Sequence, residues 1–227
     1  MKKQDIVAIL IVLALFLPFF LSKPLFEFYK SANAAYPYIL AFLKFGILAT
    51  MGEMLASRIR VGYYCNAQFG LIPKVVIWGF LGMWIALAMK VFSVGVPAAV
   101  EKIGFDGLTS AMAGDFSWMK LWGAFCISVM MNTSFAPVFM TLHKITDMHI
   151  TKYNGQLSCL IKPLKIGESL AKLDWNVQWN FVFKKTIPLF WIPAHTITFI
   201  LPPTGQVLFA ALLGGALGLI LAIAAKK

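Results

Sequence analysis
Apolar residues in this chain come in long runs divided by short polar segments, a pattern that reads as helices solvated by lipid. Residues 6–21 are nearly unbroken hydrocarbon behind Met1-Lys2-Lys3, and 6–22 just reaches the length of a transmembrane helix. The same stretch has the layout of a signal peptide, with a cleavage-like Ala32-Asn33-Ala34 after it. Lys23, Glu27 and Lys30 intervene, and Ala34 is far from Leu21 for a cleavage site, so an uncleaved helix is the favoured reading. Further spans are expected over 36–56, interrupted by Lys44 and Glu53; over 71–96, with Lys74 at its start and Lys90 inside; and over 118–142. Residues 98–117 hold Glu101, Asp106 and Asp115 among small residues and read as a connection with a short interfacial helix. The longest polar segment, 143–172, is basic and loop-like around Asn154-Gly155. Asp174 is placed to cap a helix that starts at Trp175. Residues 184–201 form a fifth span, Pro202-Pro203-Thr204-Gly205 a tight turn, and 206–225 a sixth span. The expected fold is an all-α polytopic transmembrane bundle of about six spans. Residues 1–35 supply an N-terminal helix and its connection, and 36–227 the bundle proper.

Composition strengthens the membrane reading. A soluble domain carries about 25% charged and 45–50% apolar residues; this chain has 13% and 60%, with mean hydropathy +0.80. That leaves too little polar surface to solvate a globule in water. The net charge of +11 would suggest nucleic acid in a soluble protein. Here the lysines flank apolar runs, so anionic lipid headgroups and the positive-inside effect account for them, and no nucleic-acid partner is expected. With the N-terminus inside, Lys2, Lys3, Arg58, Arg60, Lys74, Lys144, Lys152, Lys162, Lys165, Lys172, Lys184, Lys185, Lys226 and Lys227 fall on the cytoplasmic side. Only Lys23, Lys30, Lys102 and Lys120 fall outside. Both termini are therefore expected in the cytoplasm, and the membrane to be a bacterial inner membrane. Cys65, Cys126 and Cys159 are widely spaced and suggest neither a disulfide framework nor a zinc site.

Candidate chemistry lies in polar residues within hydrocarbon, which are costly there and point to function. Lys44 lies well inside its span, and Glu53 sits near the end that carries Arg58 and Arg60. Asn132, Thr133 and Ser134 form a polar cluster followed by Pro137; either they bond between helices or they line a wet cavity. His195 and Thr198 share a helix face above Pro193, with the same two readings. His143 and His149 have only Asp147 nearby, too few ligands for a metal site, and no cofactor is expected. Trp175 and Trp179, with Lys184 and Lys185 beyond them, form an interfacial anchor. Ala210, Gly214 and Gly218 make a small-residue stripe, with Ala211 and Gly215 beside it, suited to helix packing inside the bundle or between copies. The acidic residues and histidines are dispersed, with no nucleophile–base pair or HExxH set, so no enzyme is expected.

The segment Trp191-x-Pro193-x-His195-x-x-Thr198-Phe199-x-x-x-Pro203 resembles the C-terminal signature of the Mpv-seventeen family of small peroxisomal and inner-mitochondrial membrane proteins. His195 stands where that family has Gln and Thr198 where it has Asn, while Phe199 and Pro203 agree. Gln206-Val207-Leu208 falls near the family's Arg-Val-Leu without the arginine, and Gly52-Glu53-x-Leu55-Ala56 is similar to its Gly-Asp element. The resemblance implies a four-helix membrane protein of channel-like type. The functional expectation is passage of small polar or anionic solutes along a path lined by Lys44, Glu53, Asn132, Thr133, Ser134, His195 and Thr198. The alternative is an accessory or scaffold membrane protein that acts through its glycine stripe and basic loop.

Overall fold
The computed structural model describes residues 2–224, and all regular structure in them is helical. The helices are α1 (Lys3–Leu21), α2 (Lys23–Ala35), α3 (Pro37–Val61), α4 (Leu71–Glu101), α5 (Leu108–Ala113), α6 (Trp118–Ser134), α7 (Ala136–Lys152), α8 (Ile166–Lys172) and α9 (Trp175–Val177). The 3-10 turns Ala67–Phe69 and Leu157–Ile161, a π-helix (Gln178–Trp191), α10 (Ile192–Ile200) and α11 (Pro203–Ala224) complete the described helices. Local chemistry sets the ends. The Ser22 hydroxyl accepts from Leu25 N–H at 3.3 Å to open α2. Gly62, at φ 89°, closes α3 in the left-handed conformation that glycine adopts freely. Asp174 accepts from Val177 N–H at 3.0 Å, the cap expected from its position.

The core lies where α3 packs against α4 and α11 and where α10 packs against α6. Phe45, Leu48, Trp78, Ile85, Met89, Ile127, Met131 and Phe199 form its buried cluster. The α3–α11 contact rests on two glycines: a methyl on Gly52 would collide with the Gly215 backbone, and one on Gly215 would meet Gly52 Cα at 3.2 Å. The expected stripe of Ala210, Gly214 and Gly218 therefore packs along one edge only. Ala210 is buried and Gly218 faces Ala56, but Gly214 has nothing within 4 Å of its missing methyl. The adjacent residues Ala211 and Gly215 make the closer approach.

α1 and α2 contribute no fully buried residue, and α1 meets this core through half-buried Leu15 and Phe16. Asp5 clips α1 to the far end of α3, pairing with Arg58 Nε at 2.8 Å and Nη2 at 3.0 Å. Residues 23–35, expected as a connection, are helical because Ser22 and Pro24 start a new helix directly after α1. Likewise 143–152, expected as loop, continues α7, and the polar segment becomes irregular only beyond Lys152. The expected turn at 202–205 is closed by Gly205 N–H bonding to Pro202 C=O at 2.9 Å, and it runs directly into α11, which Pro203 opens.

Among the described residues, four helical stretches are long and apolar enough to cross a membrane: Lys3–Leu21, Pro37–Val61, Ala67–Glu101 and Pro203–Ile220. α6 and α7 qualify together, as a fifth span bent by 48°. The expected fifth span, 184–201, is not among them. It falls across a change of helix type and begins at Lys184-Lys185, with polar Thr186, His195, Thr196 and Thr198 further along. The last expected span, 206–225, ends at Ala225, which with Lys226 and Lys227 lies outside the described residues.

Candidate functional site
The break between α6 and α7 shapes a cavity in the interior. Pro137 lacks the N–H that would bond the carbonyl one turn back at Thr133, and α6 ends at Ser134. The two halves splay around a cavity of about 330 Å³. α3 (Ala49, Glu53), α4 (Trp78, Ile85), both arms of the bend (Asn132, His143), the π-helix (Gln178, Thr186, Trp191), α10 (His195) and α11 (Gly214) line it. Its walls are mainly apolar, and Lys144 and Phe181, both exposed, stand where it opens.

Asn132 organises the polar wall. Its amide Nδ2 donates to Ser128 C=O at 2.9 Å and lies 3.0 Å from His195 Nδ1. The Ser128 carbonyl fixes the amide orientation, since a flipped Asn132 would place two acceptor oxygens together. His195 Nδ1 must then accept, so the imidazole is the neutral tautomer with its proton on Nε2. The Ser128 hydroxyl donates to Ile192 C=O at 2.7 Å, tying α6 to the start of α10. Asn132 is buried, yet its Oδ1 has no hydrogen-bond partner among the described residues. The same holds for Gln178 Nε2 and Trp191 Nε1. Three cavity-lining side chains thus each keep one unspent hydrogen-bonding atom in a low-dielectric interior, where such atoms are normally satisfied.

The wider register of the π-helix brings Gln178, Thr186 and Trp191 onto the cavity wall. Ile192 N–H still bonds five residues back, to Ile187 C=O. Pro188, inside this segment, and Pro193, just beyond it, have no N–H to donate to the backbone ladder. π-turns of this kind concentrate at functional sites.

At one end the cavity meets a charged cluster. Glu53 Oε1 accepts from Trp78 Nε1–H at 2.8 Å and faces His143 Nε2 at 3.2 Å. Its Oε2 pairs with Lys74 Nζ at 2.5 Å, and Lys74 also reaches Asp147 Oδ1 at 2.5 Å. Glu53, His143 and Asp147 hold donor atoms close enough together to ligate a metal ion. The Lys74 ammonium bridges the two carboxylates and balances one of their two charges, and His143 faces both, so the cluster straps α3, α4 and α7 together.

A second, larger hollow of about 960 Å³ lies beyond the other end. Met89 of α4, Phe199 of α10 and Val207 of α11 line it, with Lys90, Asp115 and Lys120 at its polar rim. On each of those helices the first hollow is one turn away: Ile85, His195 and Ala211 line the cavity. Buried Phe199, Met89 and Ile85 belong to the partition between the two.

The residues singled out from sequence separate into groups. Asn132, His195 and Glu53 share the cavity. Thr133 and Ser134 are exposed and bond back to carbonyls of their own helix, Val129 and Met130 respectively. Thr198 is buried and bonds to Ala194 C=O at 2.9 Å. Lys44 lines neither hollow; it lies at a separate cleft beside α1 and α2, with Nζ 2.5 Å from Asn33 Oδ1. Trp175, Trp179, Lys184 and Lys185 are exposed, with Lys184 Nζ 5.8 Å from the Trp179 ring centroid. Sequence reasoning missed Lys74, Trp78, Gln178, Thr186 and Trp191 as site residues. Gln178 carried a usable signal: it stands between two anchor tryptophans and is followed at helical spacing by Val182 and Thr186. No family model, no curated protein and no solved structure matches the chain.

Proposed function
We propose that this chain is an integral membrane protein that passes small polar or anionic solutes between the outer hollow and the central cavity, across a thin apolar septum at Phe199. The observation that carries the reading is the approach of the two hollows to within one helical turn on α4, α10 and α11 together, about 5.4 Å of rise. A solute leaving the rim of Lys90, Asp115 and Lys120 would pass Phe199 and meet Asn132 and His195. There the unpartnered Asn132 Oδ1 accepts and the His195 Nε2–H donates. Such convergent polar groups on apolar walls hold a small molecule weakly and with orientation. Lys44 has no part in this path, in contrast to its expected role.

Six spans, with 184–201 crossing as the fifth, remain the topology we propose, with both termini in the cytoplasm of a bacterial cell. Membership of the Mpv-seventeen family is proposed on the same footing. Its signature positions Trp191, His195 and Phe199 fall on the walls of the two hollows. The accessory-protein reading draws less support, because the closest glycine contact, Gly52 with Gly215, is used inside the chain. The test is liposome swelling with glycerol and lactate. Purified full-length protein should accelerate solute influx over empty liposomes, and Phe199→Ala should raise it several-fold further. Folded wild type and Phe199→Ala that both match empty liposomes would overturn the proposal.

A further inference from the structure
Lys44 presents an unbalanced charge. It is 8% exposed, yet among the described residues its only polar contact is the neutral Asn33 Oδ1, at 2.5 Å. Among the described residues no carboxylate lies within ion-pair distance of it. The acid of α2, Glu27, is taken by Lys30 at 2.8 Å. A buried ammonium without a counter-charge is costly, so the arrangement calls for an anion from elsewhere.

The surroundings specify what kind. Lys44 stands on the wall of a cleft of about 540 Å³ between α1, α2 and α3, otherwise walled by side chains such as Phe16, Phe19, Leu43 and Ile47. Tyr29 of α2 shares that wall, its ring centroid 5.7 Å from Lys44 Nζ, and its buried hydroxyl has no partner among the described residues. A cation and an unspent O–H donor thus sit together beside α2, with a purely apolar trough running from them along α1 and α3. On the lipid side, α1 leaves Phe20 83% and Leu21 75% exposed, so the trough is continuous with a surface that only hydrocarbon covers well.

We infer that the cleft between α1, α2 and α3 binds an anionic phospholipid of the surrounding bilayer, one acyl chain lying between Phe16, Phe19, Leu43 and Ile47 and the phosphate meeting Lys44 and Tyr29. The phosphate supplies the missing negative charge and accepts from both donors, which charge-assisted hydrogen bonding favours strongly. The assignment requires that the helices sit in a bilayer, and not that the central cavity conducts.

The experiment is native mass spectrometry of the full-length protein in a nonionic detergent, titrated separately with phosphatidylglycerol, phosphatidylcholine, palmitate and hexadecanol. One phosphatidylglycerol per chain should bind about tenfold or more tightly than phosphatidylcholine, as expected for charge-assisted contacts at a buried site. Lys44→Met should abolish that preference, and Tyr29→Phe should weaken phosphatidylglycerol binding several-fold. Equal binding of phosphatidylcholine, or an undiminished preference in folded Lys44→Met, overturns the inference. Palmitate bound in place of phosphatidylglycerol overturns the lipid assignment in favour of a free fatty acid. Should Lys44→Met fail to fold, Tyr29→Phe decides, since it removes one oxygen and no packing atom; undiminished binding there also overturns the site. Liposome flux is read independently, so failure of the solute path leaves this result standing.

Discussion
Glu53 has both carboxylate oxygens facing donors: Trp78 N–H and His143 on one, Lys74 on the other. An amide can accept on only one of its two atoms, so Glu53→Gln should destabilise almost as much as Glu53→Ala. Each should cost about 2 kcal/mol or more, as for breaking a largely buried pair. The check is the thermal unfolding midpoint in detergent; a glutamine variant close to wild type would refute the two-sided contact. Asn132 makes the complementary case, because its Nδ2 serves two acceptors. Asn132→Asp should lower stability by about 1–3 kcal/mol, and the same melting curve reads it. At this scale the sequence located Asn132, His195 and Glu53 by the cost of polar atoms in hydrocarbon, but not their partners. Lys74 and His143 come from other helices, and nothing local to Glu53 announces which side chains the packing will deliver. Lys44 was legible as anomalous and illegible as to place, since its depth along α3 says nothing about which neighbour it faces.

Among elements, the α3–α11 contact gives the sharpest contrast. Gly52→Ala drives a methyl into the Gly215 backbone and should cost about 1–3 kcal/mol by overpacking. Gly214→Ala, one residue from Gly215, adds its methyl to open space and should leave stability within about 0.5 kcal/mol of wild type, as surface-like changes do. Equal losses in the two variants would contradict the packing register. The small-residue pattern at 210–218 was readable as a packing face, but a stripe one residue over is indistinguishable by composition. The exact partner, Gly52, lies on a helix chosen only by tertiary packing. Helix types were harder still: 178–191 has ordinary helical periodicity, and nothing in it announces the π register.

For the whole molecule, the all-helical class followed directly from the long apolar runs, because their backbone must satisfy itself when lipid is the solvent. Individual spans were less legible wherever polar residues enter a helix, as at 184–201, since hydropathy alone cannot separate a cavity wall from an interfacial segment. The proposed path requires that the two hollows, whose linings come within one turn of each other at Phe199, open to opposite faces of the membrane. The most direct measurement places single cysteines at Val207 and Gly214 in a background where Cys65, Cys126 and Cys159 are replaced by alanine. Protein in sealed, oriented liposomes is then exposed to a charged methanethiosulfonate from one side at a time. The account predicts labelling of Val207→Cys from one face only and of Gly214→Cys from the opposite face only. Either cysteine shielded from both faces, or both labelled from the same one, would contradict it.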